Sequence, residues 1–258
     1  MKRFARLKHD ALPSGELRDW YRSAAGSGVV ACVRSVLDRW VPQLFGYHAL
    51  QIGDLGAELD LLESSRILHR VTVDPGSSEA GLRALPDQLP IQTDSVDLVL
   101  LSHALEFSAE PHQVLREVDR VLVPEGHVLI VGFNPLSLFG LWRLALARRG
   151  RVPWTGRFYS PYRVKDWLSV LGFRAVSCEY LAFSPPVQRV GVQRRLAWLE
   201  RLGSRWWPYL GGAYVVLARK QVITLTPVKP RWRPRRAILS GNLTEPSTRV
   251  SHEHERAA

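Results

Sequence analysis

The sequence predicts an α/β protein built on a doubly wound sheet. Three observations carry that prediction. Short apolar runs, HALQI, RVTVD, SVDLVLL and HVLIVGF, alternate with segments of helical period, the order expected of parallel strands joined by crossover helices. Two of those runs, SVDLVLL and HVLIVGF, are apolar almost throughout, as strands covered on both faces are. A Gly-x-x-Gly turn, Gly53 to Gly56, stands where the first run ends, and glycine lets a strand turn tightly there.

Residues 14–46 read as helical. Trp20, Tyr21, Val29, Val30, Val33, Val36, Leu37, Trp40, Val41 and Leu44 recur at spacings of three and four, and Pro42 and Gly46 end the region. The period then changes. HALQI (48–52) is a strand, GDLGAE opens a helix through Leu62, and RVTVD (70–74) is a second strand closed by Pro75-Gly76. SVDLVLL (95–101) is the next strand. PHQVLREVDRVL (111–122) is a helix with Val114, Leu115, Val118, Val121 and Leu122 on one stripe. Pro124-Glu125-Gly126 stops it, and HVLIVGF (127–133) follows as a buried strand. A helix at 163–172 and two more strands, FRAVSCEYLAF and GGAYVVLARK, complete the fold.

This order divides the chain into an N-terminal helical cap (1–45), a main domain (46–220) and a tail (221–258). Insertions rich in arginine and aromatic residues interrupt the main domain near 136–162 and 185–209. The tail, with four prolines and the run RWRPRR, offers little core and is expected to be largely disordered.

Composition narrows the function. Lys and Arg number 35 against 24 Asp and Glu, a net charge of +11, which favours anionic partners. Two cysteines, Cys32 and Cys178, are too few for a disulfide scaffold or a cysteine metal site and suit a reducing compartment. The basic start MKRFARLKHD is followed by no apolar stretch, so a secretory signal is not expected. The apolar segment Leu136 to Ala147 is broken by Arg143 and falls short of the ~20 residues of a membrane helix. A cytoplasmic protein is the expectation. His252 and His254 lie in the tail without companion ligands, so no metal site is assigned.

The glycine turn is suited to a ligand that approaches the backbone closely, and Asp74, ending the second strand 21 residues after Gly53, stands where such folds bind a ribose hydroxyl pair. Residues 89–135 sharpen this. Leu89-Pro90, Asp94, Asp97, Ser102-His103, Leu105-Glu106, Leu115-Arg116-Glu117, Arg120-Val121-Leu122, Pro124, Gly126 and Asn134-Pro135 follow in order. This series resembles the class I S-adenosylmethionine-dependent methyltransferases of the type 11 group, over roughly residues 46–220.

The resemblance implies a seven-stranded sheet whose last strand runs antiparallel. It also implies S-adenosyl-L-methionine bound across the carboxyl ends of the first strands. Gly53, Asp54 and Gly56 would face the methionine part of the cofactor, Asp74 the ribose, and Leu101, Ser102 and His103 the methionine from below. The usual acidic-x-Gly-x-Gly-x-Gly pattern is altered here: Gln51 replaces the acid, Leu55 the middle glycine and Ala57 the third. Gln51 can still orient a network, and Asp54 can supply the missing charge. Leu85 and Pro86 stand where an acid near the adenine is common, with Asp87 as a substitute, and Phe107 replaces a second histidine.

Methyl transfer from a sulfonium is an in-line displacement that needs alignment and, for a protonated nucleophile, a base. His103 and Asp54 are the candidate bases, with a cofactor contact as the other reading of His103. Asn134 either bonds the acceptor or caps its loop. Asp74, at a strand end, is expected to face a cleft. The basic aromatic insertions point to a small or lipid-like acceptor. The segment Leu136 to Arg149 reads first as a lid helix with its arginines at the C-terminal end of the dipole. Peripheral contact of this segment with an anionic membrane is the further expectation. The alternative is a nucleic-acid-binding or RNA-modifying protein on a degenerate methyltransferase scaffold.

Overall fold

The computed structural model describes residues 12–147, 150–186, 203 and 206–221, which all belong to one compact unit, Met1–Val222. Most of the 185–209 insertion, Arg148 and Arg149, and nearly all of the tail, with RWRPRR, His252 and His254, lie outside the described residues.

The N-terminal helical stripe is two helices, α1 (Ser14–Arg22) and α2 (Ala24–Trp40). Ser23 breaks them: its backbone is extended and its hydroxyl accepts from the Gly26 N–H, an N-cap. A Cβ on Gly26 would lie 2.2 Å from the Trp20 carbonyl oxygen, so only glycine permits this corner. Leu17, Trp20, Tyr21, Val29, Val33, Val36 and Leu37 are buried in the common core.

Four parallel strands follow: β1 (His48–Ile52), β2 (His69–Val73), β3 (Val96–Ser102) and β4 (Leu122–Phe133). Between β3 and β4 come the single turn α3 (Ala104–Phe107) and the amphipathic α4 (Pro111–Val121). Helices α5 (Leu138–Leu146) and α6 (Pro161–Val170) lead to an antiparallel pair, β5 (Phe173–Leu181) and β6 (Ala213–Lys220). The sheet order is β2-β1-β3-β4-β6-β5, with β6 antiparallel to β4.

This is the expected doubly wound, mostly parallel sheet with an antiparallel closing strand, with six strands where seven were expected. The seventh is reduced to one residue. Leu82 makes an isolated parallel bridge to Val73, bonded through its N–H to Thr72 O and its carbonyl to Asp74 N, both at 3.1 Å. Between Gly81 and Arg83 the sequence supplies a single apolar residue, too little for a strand.

A second expectation fails at the glycine turn. No helix runs from it to Leu62; there is only a 3₁₀ turn, Ala57–Leu59. Asp60 is extended, and its carboxylate takes the Leu62 N–H at 2.9 Å, a local bond that competes with helix. The Arg70 guanidinium holds the Leu62 carbonyl at 2.6 Å. The turn therefore presents no helix N-terminus.

Register positions the site. Ile52 is level with Val73 on one side and Leu101 on the other, and Ser102 with Val131. The next residues, Gly53, Asp74 and Ser102, thus share one row at the carboxyl edge, where open α/β sheets bind ligands.

Candidate active site

At that row the backbone itself sets the residue types. Gly53 has φ 97°, and a Cβ there would stand 2.6 Å from the Ser102 carbonyl oxygen. Gly56 has φ 88°, and its Cβ would stand 2.8 Å from Arg18 Nε. Gln51 is buried and its amide donates to the Gly53 carbonyl at 3.1 Å, so it braces the turn from beneath. Ala57 opens the 3₁₀ turn, and Leu55 is buried in the core.

Asp54 and Asp74 form the centre. Asp74 is 0 % exposed; the carboxylate expected to face a cleft is sealed. Its Oδ1 accepts from the Gly76 and Ser77 N–H groups at 2.8 and 2.9 Å. Its Oδ2 accepts from the Asp54 N–H at 3.0 Å and from the Ser14 hydroxyl. Asp74 thus caps the Pro75-Gly76 turn and also ties β2 to the glycine turn. Asp54 accepts from the Gly56 N–H at 2.7 Å, from Arg18 Nη2 at 2.9 Å and from the Ser77 hydroxyl. Its charge is compensated by Arg18, which also meets Glu79 at 3.2 Å.

Two cavities lie at this cluster, and Asp74 lines neither. One, about 280 Å³, is lined by Gln51, Asp54, Gly56, Asp60, Thr72 and Glu79 among others. The second, about 390 Å³, lies along residues 12–16, Arg18 and residues 76–79. Glu79 lines both.

A separate buried group stands at the end of β3. His103 has left-handed backbone, φ 57°, which turns the chain from strand to helix α3. Its ring stacks on Phe133 at 4.3 Å. Nδ1 lies 2.6 Å from Glu106 Oε2, and Nε2 meets the Tyr21 hydroxyl. Glu106 also accepts the Phe133 N–H. Burial, and then the charge of Glu106, push the Tyr21 phenol well above its ordinary value, so Tyr21 keeps its proton. The tautomer that directs Nδ1–H at the Glu106 carboxylate leaves Nε2 to accept from that hydroxyl. Both ring nitrogens are engaged.

Asn134 is also fully engaged. Its amide donates to the Tyr209 and Gly211 carbonyls at 2.9 and 3.0 Å, and its Oδ1 accepts from the Leu136 N–H at 3.0 Å. It joins the start of α5 to the turn before β6. Leu101 is buried mid-sheet.

The structure therefore brings Gln51, Gly53, Asp54, Gly56, Asp74 and Ser102 into one cluster, with His103 following Ser102 and its side chain held by Tyr21, Glu106 and Phe133. Asn134 stands at the same carboxyl edge, just after Phe133 at the end of β4, but its side chain is turned to the Tyr209 and Gly211 carbonyls rather than to this cluster. Sequence reasoning missed Ser14, Arg18 and Tyr21. All three lie on the N-terminal helix, and no local pattern ties them to residues 36 to 82 positions away. Glu106 was readable: it stands three residues after His103, one turn of helix on.

The comparisons with known proteins bear on this geometry. A family model described as a methyltransferase domain matches residues 63–130. The protein YafS of Escherichia coli is 35% identical over 195 residues, 75% of this chain and 77% of that one. The malonyl-[acyl-carrier protein] O-methyltransferase of Halorhodospira halophila is 30% identical over 166 residues, 56% of each. Among solved structures, a SAM-dependent methyltransferase from Thermotoga maritima shares the fold, with a TM-score of 0.59 at 16% identity over 80% of this chain and 96% of that one.

The chain belongs to one family with YafS, and its domain over residues 63–130 places it among the class I S-adenosylmethionine-dependent methyltransferases of the type 11 group. It is a methyltransferase, and its cofactor is S-adenosylmethionine. The residues present fit that cofactor. Two buried polar atoms, Ser102 Oγ and Arg18 Nε, have no hydrogen-bond partner among the described residues, and they stand beside Gly53 and Gly56 respectively.

Proposed function

We propose that the enzyme methylates a small amphipathic, lipid-like acceptor, and that its cofactor lies along the row of Gly53, Asp74 and Ser102. Asp74 takes the ribose hydroxyls through Oδ2, the oxygen that Ser14 now engages. Gly53, Asp54 and Gly56 border the methionine part, with Gln51 bracing the turn. Arg18, whose Nε is unpartnered beside Gly56, meets the carboxylate. Leu101, Ser102 and His103 close the floor. The observation that carries this reading is the Asp54–Asp74 pair, bonded at the turn, with one cavity reaching Asp54 and a second lined by Ser14, Gly76 and Ser77, the partners of Asp74.

The cofactor supplies an activated methyl group on a sulfonium. The chain's own residues align the partners and exclude water. Among the described residues no metal-binding cluster stands near. His103 is oriented at Nδ1 by Glu106 as a base would be. An acceptor hydroxyl that displaced Tyr21 would meet Nε2 with a lone pair already directed at it.

The lipid-like acceptor is supported by α5, which follows β4 and turns leucines and a tryptophan outward. An RNA substrate would call for cations on that face. Equilibrium binding of S-adenosylmethionine and S-adenosylhomocysteine to the full chain tests the cofactor site. Transfer of labelled methyl into the organic phase of a cell extract, against the aqueous phase, tests the acceptor class. Label found only in the aqueous phase would overturn the lipid-like reading.

A further inference from the structure

Helix α5 has no polar side chain on its outer face. Only Phe139 and Gly140 are buried. Leu141 and Leu144 are 62 % and 73 % exposed, and Leu138 and Trp142 are exposed too. At 100° per residue, Leu144, Leu141, Ala145, Leu138 and Trp142 fill a continuous arc of about 160°. The lone charged residue, Arg143, is turned inward: it donates to the Gly156 carbonyl at 2.7 Å and lies over the Phe158 ring. A helix washed by water ordinarily keeps its outer face polar.

The apolar face continues beyond the helix. Leu136, 69 % exposed, precedes it. The Asn134 amide ties that end of α5 to the Tyr209 carbonyl, and beside it Trp206, Trp207, Tyr209 and Leu210 are all exposed. Tryptophan and tyrosine are the side chains that settle at the boundary between lipid and water.

Charge selects the occupant. From Gly126 to Lys165 the sequence has no acidic residue and seven Lys and Arg. Arg157 flanks α5 beside Gly156, and Arg151 follows the helix; both are exposed, and neither has an acidic partner among the described residues. A protein partner that covered this apolar face would have to answer unpaired cations on its border. An anionic bilayer answers both at once, taking the leucines and tryptophans into its boundary and the arginines at its phosphates. No described helix is long and apolar enough to cross a membrane, so the contact is peripheral.

We propose that α5 and the adjoining Trp206–Leu210 turn form a docking surface for an anionic lipid bilayer. The surface stands whether or not the acceptor itself is a lipid, since it needs neither cofactor nor methyl transfer.

Co-sedimentation with vesicles tests it. The full chain is mixed with vesicles of phosphatidylcholine alone or of phosphatidylcholine with phosphatidylglycerol. Binding is expected to the mixed vesicles and to be weak on the neutral ones. The double variant Leu141→Glu/Leu144→Glu, at two exposed positions of the helix that follows β4, three strands along the sheet from β2 and Asp74, should lose about tenfold or more of that binding. It should keep the wild-type affinity for S-adenosylmethionine, which shows it is folded. A variant that binds as well as the wild type would overturn the proposal and assign the attraction to the basic tail. So would a full chain that ignores vesicles and instead forms a dimer that the variant abolishes.

Discussion

The hydroxyl of Ser14 donates to Asp74 Oδ2, across 60 residues of sequence, and so occupies the carboxylate oxygen nearest the glycine turn. A helix from the N-terminal segment thus holds the group assigned to the ribose. Binding through that oxygen requires the Ser14 bond to break. Ser14→Ala is therefore expected to tighten S-adenosylmethionine binding about two- to tenfold, the worth of one net hydrogen bond. Calorimetry measures it. Weaker binding would place Ser14 among the cofactor contacts instead.

Asp74 itself carries two jobs, and substitutions should separate them. Asp74→Ala leaves the N–H groups of Asp54, Gly76 and Ser77 without their acceptor, at about 1–3 kcal/mol each when they stay dry. It should both lower the melting temperature and weaken the cofactor. Asp74→Asn keeps one carbonyl oxygen for the Gly76 and Ser77 donors. It should retain most stability while losing about ten- to a thousandfold in affinity. Equal affinity in wild type and Asp74→Asn would remove Asp74 from the site.

Much of this was legible in the sequence, for physical reasons. Strands β1 to β4 are apolar runs bounded by turn residues; β1, β2 and β3 lie within one residue of their expected places, whereas β4 starts at Leu122, running through Pro124-Glu125-Gly126 as a bulge where a stop was expected. Gly53, Gly56 and Asp74 are local signals, fixed by backbone and by turn chemistry. The 57–62 segment misled because its leucines fit a helical period while Asp60 withdraws the Leu62 N–H. The edge strand was lost because Leu82 stands alone between Gly81 and Arg83. Asp74 was expected to face open space because its cover comes from α1, and no local pattern records that approach.

Tyr21, His103 and Glu106 make a dry chain from α1 to the end of β3. Tyr21→Phe removes the donor to Nε2 and leaves a buried acceptor unmet, which should cost about 1–3 kcal/mol in urea unfolding. If His103 also serves as the base, methyl transfer by Glu106→Gln should fall further than its stability does. Transfer that falls no further than the stability does would leave the three residues a structural tie.

Arg120 staples the Leu89 to Thr93 segment: it bonds the carbonyls of Leu89 and Ile91 and holds Glu117, which takes the Leu89 N–H. The hydrogen bond from Arg120 holds the Glu117 carboxyl below its ordinary value, against the opposing effect of burial. A carboxyl lowered on folding contributes stability that is complete above its unfolded value, about 4.3, and is lost as pH falls through the folded value. Glu117→Gln should therefore cost about 1–2 kcal/mol at pH 7. The gap from wild type should narrow below pH 4. A gap of constant size in urea unfolding at both pH values would show that charge has no part in the staple.

Arg18 offers the sharpest division of the site. Its guanidinium spans Asp54 and Glu79, and its Nε is left over beside Gly56. A guanidinium so placed can grip a carboxylate with charge-assisted bonds. Only the amino-acid part of the cofactor has one. Methylthioadenosine keeps the ribose and adenine and lacks that part. Arg18→Gln should weaken S-adenosylmethionine about ten- to a hundredfold, in keeping with one or two charge-assisted bonds, and leave methylthioadenosine nearly unchanged. Asp74→Asn should weaken both ligands alike. The alternative is that Arg18 merely neutralises Asp54 and so holds the turn in shape. Both ligands would then weaken together in Arg18→Gln, and Arg18→Lys, which restores the charge without the fork, would recover both. Selective loss of the ligand that carries the carboxylate, not rescued by lysine, is the outcome expected here.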